Sequence, residues 1–159
     1  MREILFRGKR VDNGEWVFGD LVQIPRAKYR DKPEKWFYDI WEITATAHRQ
    51  SVQYSTIGQS TGLTDKNGVK IFEGDIVAIP PFMSRKETFG VVKFGDYKNS
   101  PHGVDDTNRG FYIHWRYDDN EAVENLMRRD IVFWCKYSHV DIEVIGNIHD
   151  NPELLGGDY

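Results

Sequence analysis

The chain has 159 residues, a formal net charge of −4, and a composition of 40% hydrophobic, 29% charged and 14% aromatic residues. These proportions belong to an ordinary globular protein and exclude a disordered or fibrous chain. No apolar run approaches the roughly 20 residues of a membrane-spanning helix, since even residues 76–83 are cut by Pro80 and Pro81.

The opening Met1-Arg2-Glu3-Ile4 has no signal-peptide core, and Cys135 is the single cysteine, so no intrachain disulfide forms and a reducing, cytoplasmic setting is expected. The first element is a hairpin. Asp12-Asn13-Gly14 separates residues 2–11 from residues 15–24, both rich in β-branched and aromatic side chains, and Asn-Gly turns a hairpin because both residues accept positive φ cheaply. Residues 25–35 then form a charged excursion containing Pro25 and Pro33. Residues 48–61 are expected as an extended strand leading to a second hairpin at Asp65-Lys66-Asn67-Gly68.

After each Asn-Gly the chain reads alike: three residues, a phenylalanine, then Gly-Asp, an aliphatic residue and valine. The second copy has one more residue, Glu73, before its glycine, which a β-bulge would absorb. A duplicated hairpin, with Phe18 matching Phe72 in the core and Asp20 matching Asp75, is therefore one reading. Chance recurrence of hairpin vocabulary is the other. In both copies the Gly-Asp pair is expected to anchor a turn rather than to catalyse.

Further strands are expected at residues 89–94, 111–117, 131–137 and 140–148, with a polar loop over residues 96–110. In residues 140–148, Val140, Ile142, Val144 and Gly146 alternate with Asp141, Glu143 and Ile145, which predicts one face on a core and the other mostly wet. One short helix is expected over residues 120–129, where acids come early and Arg128 and Arg129 late. A last helical turn is expected over residues 151–156, with Pro152 in its first turn and Gly156 closing it. The fold expected is all-β: antiparallel hairpins in two small subdomains, residues 1–60 and 61–159, sharing a core, with an SH3-like small barrel in the C-terminal part.

Several blocks in order resemble a known family: residues 2–9, 14–21, 58–68, 71–77 and 144–154, the last reading Val-Ile-Gly-Asn-Ile-His-Asp-Asn-Pro-Glu-Leu. Together they are similar to the YopX family of phage and prophage proteins. The resemblance implies an all-β phage or prophage protein without an established biochemical activity, so no catalytic residue is carried over. Residues 78–140 depart most from the family's pattern.

The residues themselves offer three chemistries. His102, Asp105, Asp106, His114, Asp118 and Asp119 have metal-ligating side chains but no recognised metal spacing, and a solvated acidic loop is the expected reading; no metal or cofactor is assigned. Cys135 lies among Ile131, Val132, Phe133 and Trp134, where a thiol is a small hydrophobe rather than a nucleophile. Arg2, Arg7, Lys9 and Arg10, then Arg26, Lys28, Arg30, Lys32 and Lys35 with Tyr29, Trp36 and Phe37, interleave cations with rings as a single-strand nucleic-acid groove does. The net negative charge and the nearby Asp31, Glu34 and Asp39 oppose that reading.

Five Trp, eight Tyr and nine Phe exceed what a small β core holds, and surplus aromatics serve as interface anchors. The alternative is that Trp16, Trp115 and Trp134 simply fill the core. The expected partner-binding set is Arg26, Lys28, Tyr29, Arg30, Trp36, Phe37 and Trp41. The expectation is thus a non-enzymatic protein-interaction or adaptor module, homo-oligomeric and acting on a host or phage protein. A sequence-tolerant nucleic-acid binder is the alternative, and a metal-dependent hydrolase a distant third.

Overall fold

A computed structural model describes residues 4–25, 36–42, 48–79, 88–98, 107–116, 130–136 and 141–156. Among them the fold is all-β, with two antiparallel sheets in the strand orders β4-β3-β2-β1-β5-β6 and β10-β7-β8-β9. The strands are β1 (Phe6–Lys9), β2 (Trp16–Pro25), β3 (Trp36–Trp41), β4 (Arg49–Val52), β5 (Gly58–Thr64), β6 (Lys70–Phe72), β7 (Asp75–Ile79), β8 (Thr88–Lys98), β9 (Thr107–Trp115) and β10 (Glu143–Asn147). A six-residue helix, α1 (Ile131–Lys136), and two 3₁₀ turns, η1 (Tyr54–Thr56) and η2 (Pro152–Leu155), complete it. No helix among the described residues is long and apolar enough to cross a membrane. The chain divides into two compact units, Met1–Gly62 and Leu63–Tyr159.

In the first unit, β1 and β2 pair from Phe6↔Gly19 to Lys9↔Trp16 around the Asn13-Gly14 turn, where Gly14 takes φ +75°. β2 then changes partner: its second half pairs with β3 from Asp20↔Trp41 to Pro25↔Trp36. The change falls at Gly19, where a Cβ would lie 1.9 Å from the Trp41 carbonyl oxygen, so only glycine lets the two backbones pass. β3 pairs with β4, and the end of β4 returns to the end of β1 through the Arg10↔Val52 bridge and a hydrogen bond from Gln53 N to Lys9 O of 2.8 Å. β5 pairs with the other side of β1. Val17, Ile40 and Val52 form the core, with Phe6, Leu21, Tyr38 and Ile57 packed on it. Residues 48–61 are not one strand: η1 interrupts them, its Thr56 hydroxyl donating to Gln53 O and accepting from Lys9 N, each at 2.8 Å.

In the second unit, β7 is buried along its whole length. Val77 and Ile79 join Ile71, Val92, Ile113, Trp115, Ile131 and Ile142 in one cluster, while Ile76 joins Val91 and Leu155 in another. β10 carries a bulge between Val144 and Gly146. The bulge turns Ile145 onto the second cluster, so the face expected to be mostly wet is partly apolar. β8 and β9 pair from Gly90↔Trp115 to Lys98↔Thr107, so both ends of the stretch expected as a loop are strand. Cross-strand rings support that extension: Phe94 lies edge-on to Phe111 at 5.1 Å, and Tyr97 stacks with Tyr112 at 5.4 Å.

Residues 131–136, expected as a strand, are helical. Asp130 Oδ1 accepts the Val132 N–H at 2.9 Å, satisfying a donor that a helix start leaves open. Ile131 and Cys135, four residues apart, both pack on the core, as one helical face does. The expected C-terminal turn is η2, closed by Gly156 in the left-handed conformation. The helix expected over residues 120–129 lies outside the described residues.

Candidate interaction surface

Period-two alternation divides β3. Tyr38 and Ile40 point to the core of the first unit, which places Phe37, Asp39 and Trp41 on the other side. Phe37 is 42% exposed and Trp41 44% exposed. Phe18 on β2 is 47% exposed and precedes Asp20, the residue opposite Trp41, by one alternation. Large apolar groups thus remain in water although the core lies one strand face away.

Asp39, between the two exposed rings, is fully buried. Its Oδ2 accepts from Arg49 Nε and forms an ion pair with it, and its Oδ1 accepts from the Ser51 hydroxyl at 2.8 Å. A carboxylate withdrawn from water needs such partners, and β4 supplies both from alternate positions, since Ser51 stands opposite Asp39 and Arg49 opposite Trp41. The Arg49 side chain remains 53% exposed. Across β2, β3 and β4, one register row therefore reads Asp20, Trp41, Arg49: an exposed acid, an exposed indole and an exposed guanidinium.

A second basic-aromatic group lies on β1 and β2. Trp16 carries the Arg7 guanidinium 4.8 Å and the Lys9 ammonium 5.5 Å from its ring centroid. It is only half-buried, against the alternative that it fills the core; its ring serves the two cations instead. Trp115 is buried. Arg10 is engaged with Asp12 at 2.5 Å and Glu15 at 3.8 Å, and the Arg10–Asp12 hydrogen bond raises the arginine's pKa and lowers the aspartate's.

Of the expected partner-binding residues, Phe37 and Trp41 lie together on this side of β3. Trp36 begins β3 opposite Pro25, and its side chain, with Arg26, Lys28, Tyr29 and Arg30, lies outside the described residues. So do His102, Asp105, Asp106, Asp118 and Asp119, and the side chain of Trp134. His114 is in β9 opposite Val91. Among the described residues no group of three or more His, Cys, Asp or Glu side chains is placed to hold a metal ion. Cys135 is half-buried in α1, and burial pushes its thiol up to about 11. Asp39, Arg49 and Asp20 were missed as site residues. The signal was an acid between two aromatics in strict alternation, Phe37-Asp39-Trp41.

The blocks carrying the family resemblance build turns. Asp65 Oδ1 accepts from Asn67 N at 2.8 Å and Val69 N at 2.9 Å, and its Oδ2 accepts from Val144 N at 3.0 Å. Asp75 Oδ2 accepts from Phe72 N at 2.7 Å across the Glu73-Gly74 turn. Asn147 Oδ1 accepts from His149 N and Asp150 N, each at 3.0 Å. The corresponding Asp20 anchors no turn, because β2 runs straight through it. Phe18 is exposed where Phe72 is 4% exposed, so the proposed equivalence of the two segments fails. Glu73 makes the difference: it opens a turn where a bulge was expected.

The fold was compared with solved structures. A crystal structure of protein EF1440 from Enterococcus faecalis is similar, with 23% sequence identity, coverage of 98% of this chain and 99% of that one, and a TM-score of 0.48. No curated protein matches the chain. The model of the YopX protein family matches residues 5–156, which is nearly the whole sequence, and the chain belongs to that family.

Proposed function

We propose that this chain is a non-enzymatic protein-interaction module of a phage or prophage, working in the bacterial cytoplasm and binding through the outer side of β2, β3 and β4. The observation that carries this reading is the exposure of Phe18, Phe37 and Trp41 on that side. Exposed aromatics around a charged group are what interface centres are made of, because rigid rings bury large areas at small entropic cost. The SH3-like small barrel expected for the C-terminal part stays within this proposal, since small barrels of that kind leave a face for binding. Self-association through the same face is part of the proposal. The test is capture from cells carrying the prophage, with Phe37→Ser and Trp41→Ser variants as controls and sedimentation velocity on each. The reading requires retained proteins, or a second copy of the chain, that both variants lose. Equal retention by wild type and variants contradicts it. Lys9, 5.5 Å from the half-buried Trp16 ring centroid, favours a second reading, single-stranded nucleic acid, which requires salt-dependent retention of an oligonucleotide that Trp16→Ala abolishes.

A further inference from the structure

We infer that the row Asp20, Trp41, Arg49 recognises an extended peptide carrying an acidic and a basic residue about four positions apart with an apolar residue midway between them. The inference rests on the interaction-module reading and names the chemistry of its partner. Arg49 is held from behind: its Nε donates to buried Asp39, which Ser51 also holds. Among the described residues Arg49 engages no other group, and with its Nε anchored on Asp39 and its side chain 53% exposed its terminal N–H groups are left to donate to a ligand. A guanidinium anchored in that way accepts a carboxylate with geometric selectivity. At the other end of the row Asp20 is exposed and makes no hydrogen bond or ion pair with described residues. Trp41 stands opposite both, in β3 between them.

The spacing follows from sheet geometry. Neighbouring strands are about 4.8 Å apart and an extended chain advances about 3.3 Å per residue. The two strand intervals from Arg49 to Asp20 add to about 9.6 Å, and because only alternate side chains of an extended peptide face the sheet, the three that face it stand at positions i, i+2 and i+4, about 13 Å end to end, a span that the reach of acidic and basic side chains accommodates. The peptide's acid meets Arg49, its apolar side chain lies on the Trp41 indole, and its base meets Asp20. A nucleic acid fits the row less well. Every nucleotide brings a negative charge, which Asp20 repels, whereas the peptide brings one acid and one base to match the two ends of the row.

The test is selection of yeast-displayed random decapeptides on the intact chain, followed by affinity measurement on synthetic copies. Wild-type bait enriches peptides with an acid and a base about four positions apart and an aromatic or aliphatic residue midway between them. Asp20→Lys weakens such a peptide at least tenfold, and replacing the peptide's base by glutamate restores binding to that variant. Arg49→Gln removes the acidic preference. Because Arg49→Gln strips buried Asp39 of its ion pair and endangers folding, the exposed Asp20→Lys exchange carries the result alone if that variant does not fold. Absence of any enrichment overturns the inference, as does tighter, Arg49-dependent binding of single-stranded DNA. Peptides that Trp41→Ser abolishes but Asp20→Lys leaves unchanged also overturn it, while leaving the interaction module standing; captured proteins indifferent to Trp41→Ser remove the module itself.

Discussion

Residues 13–24 and 67–79 start from the same Asn-Gly turn and diverge within six residues. In the first, Gly19-Asp20 lies inside a ten-residue strand and Asp20 faces water. In the second, Gly74 takes φ +84° and Asp75, 1% exposed, holds the turn by accepting from Phe72 N. One added residue, Glu73, converts a strand interior into a corner. A motif shared along a chain thus settles the local turn but not the side-chain environment that follows it. In the first unit the equivalent positions leave Phe18 47% exposed and Asp20 in solvent. In the second the same residue types are consumed by the fold.

The largest contrast expected is between the two phenylalanines. Phe72→Ala should destabilise by about 3–5 kcal/mol, the range for emptying a buried aromatic site, whereas Phe18→Ala should stay within about 1 kcal/mol; denaturant unfolding of both variants checks this. Equal losses would restore the duplication and remove Phe18 from the interaction surface. Next come the two aspartates. Asp75→Ala leaves the buried Phe72 N–H without its acceptor and should cost about 1–3 kcal/mol, while Asp20→Ala should change stability by no more than about 0.5 kcal/mol.

The two turn glycines should behave alike and so bound the comparison. Gly14 and Gly68 both have positive φ and open space where a side chain would go, so alanine at either should cost about 1 kcal/mol through backbone strain alone. Markedly different losses, read from the same unfolding curves, would mean that the turns themselves differ. The smallest effect concerns burial in the second unit. The Cys135 thiol is raised from 9.0 to about 11 by burial, so the folded chain keeps its proton where the unfolded chain has lost it. Its contribution to stability is intact below pH 9 and declines as pH rises towards 11. Unfolding midpoints at pH 8 and pH 10.5 should therefore fall slightly more for wild type than for Cys135→Ala.

Legibility in the sequence followed the range of the forces. The Asn13-Gly14 and Asn67-Gly68 turns and the Pro152–Gly156 ending were readable because φ preference is local. The all-β class was readable from alternation. The helix at Ile131–Lys136 was not, because Ile, Val, Phe and Trp favour strands until Asp130 caps the first turn and Ile131 and Cys135 find the core together. The polar ends of β8 and β9 read as loop, although they are held by ladder bonds that do not depend on side-chain polarity. Phe37 and Trp41, expected as interface residues, lie exposed on β3, whereas the Asp39–Arg49–Ser51 group was not legible. Which strand lies beside β3, and in what register, is a long-range fact that joins residues ten and twelve positions apart.

The most direct measurement is a parallel one on Phe18→Ser and Phe72→Leu: guanidinium unfolding for stability, and capture of protein partners under conditions where each variant is folded. Phe18→Ser is predicted to keep the wild-type unfolding midpoint and lose the captured partner, while Phe72→Leu loses stability and keeps the partner. The reverse pattern, or loss of stability without loss of binding in Phe18→Ser, would contradict the assignment of the first unit's outer face to binding and of the second segment to the fold.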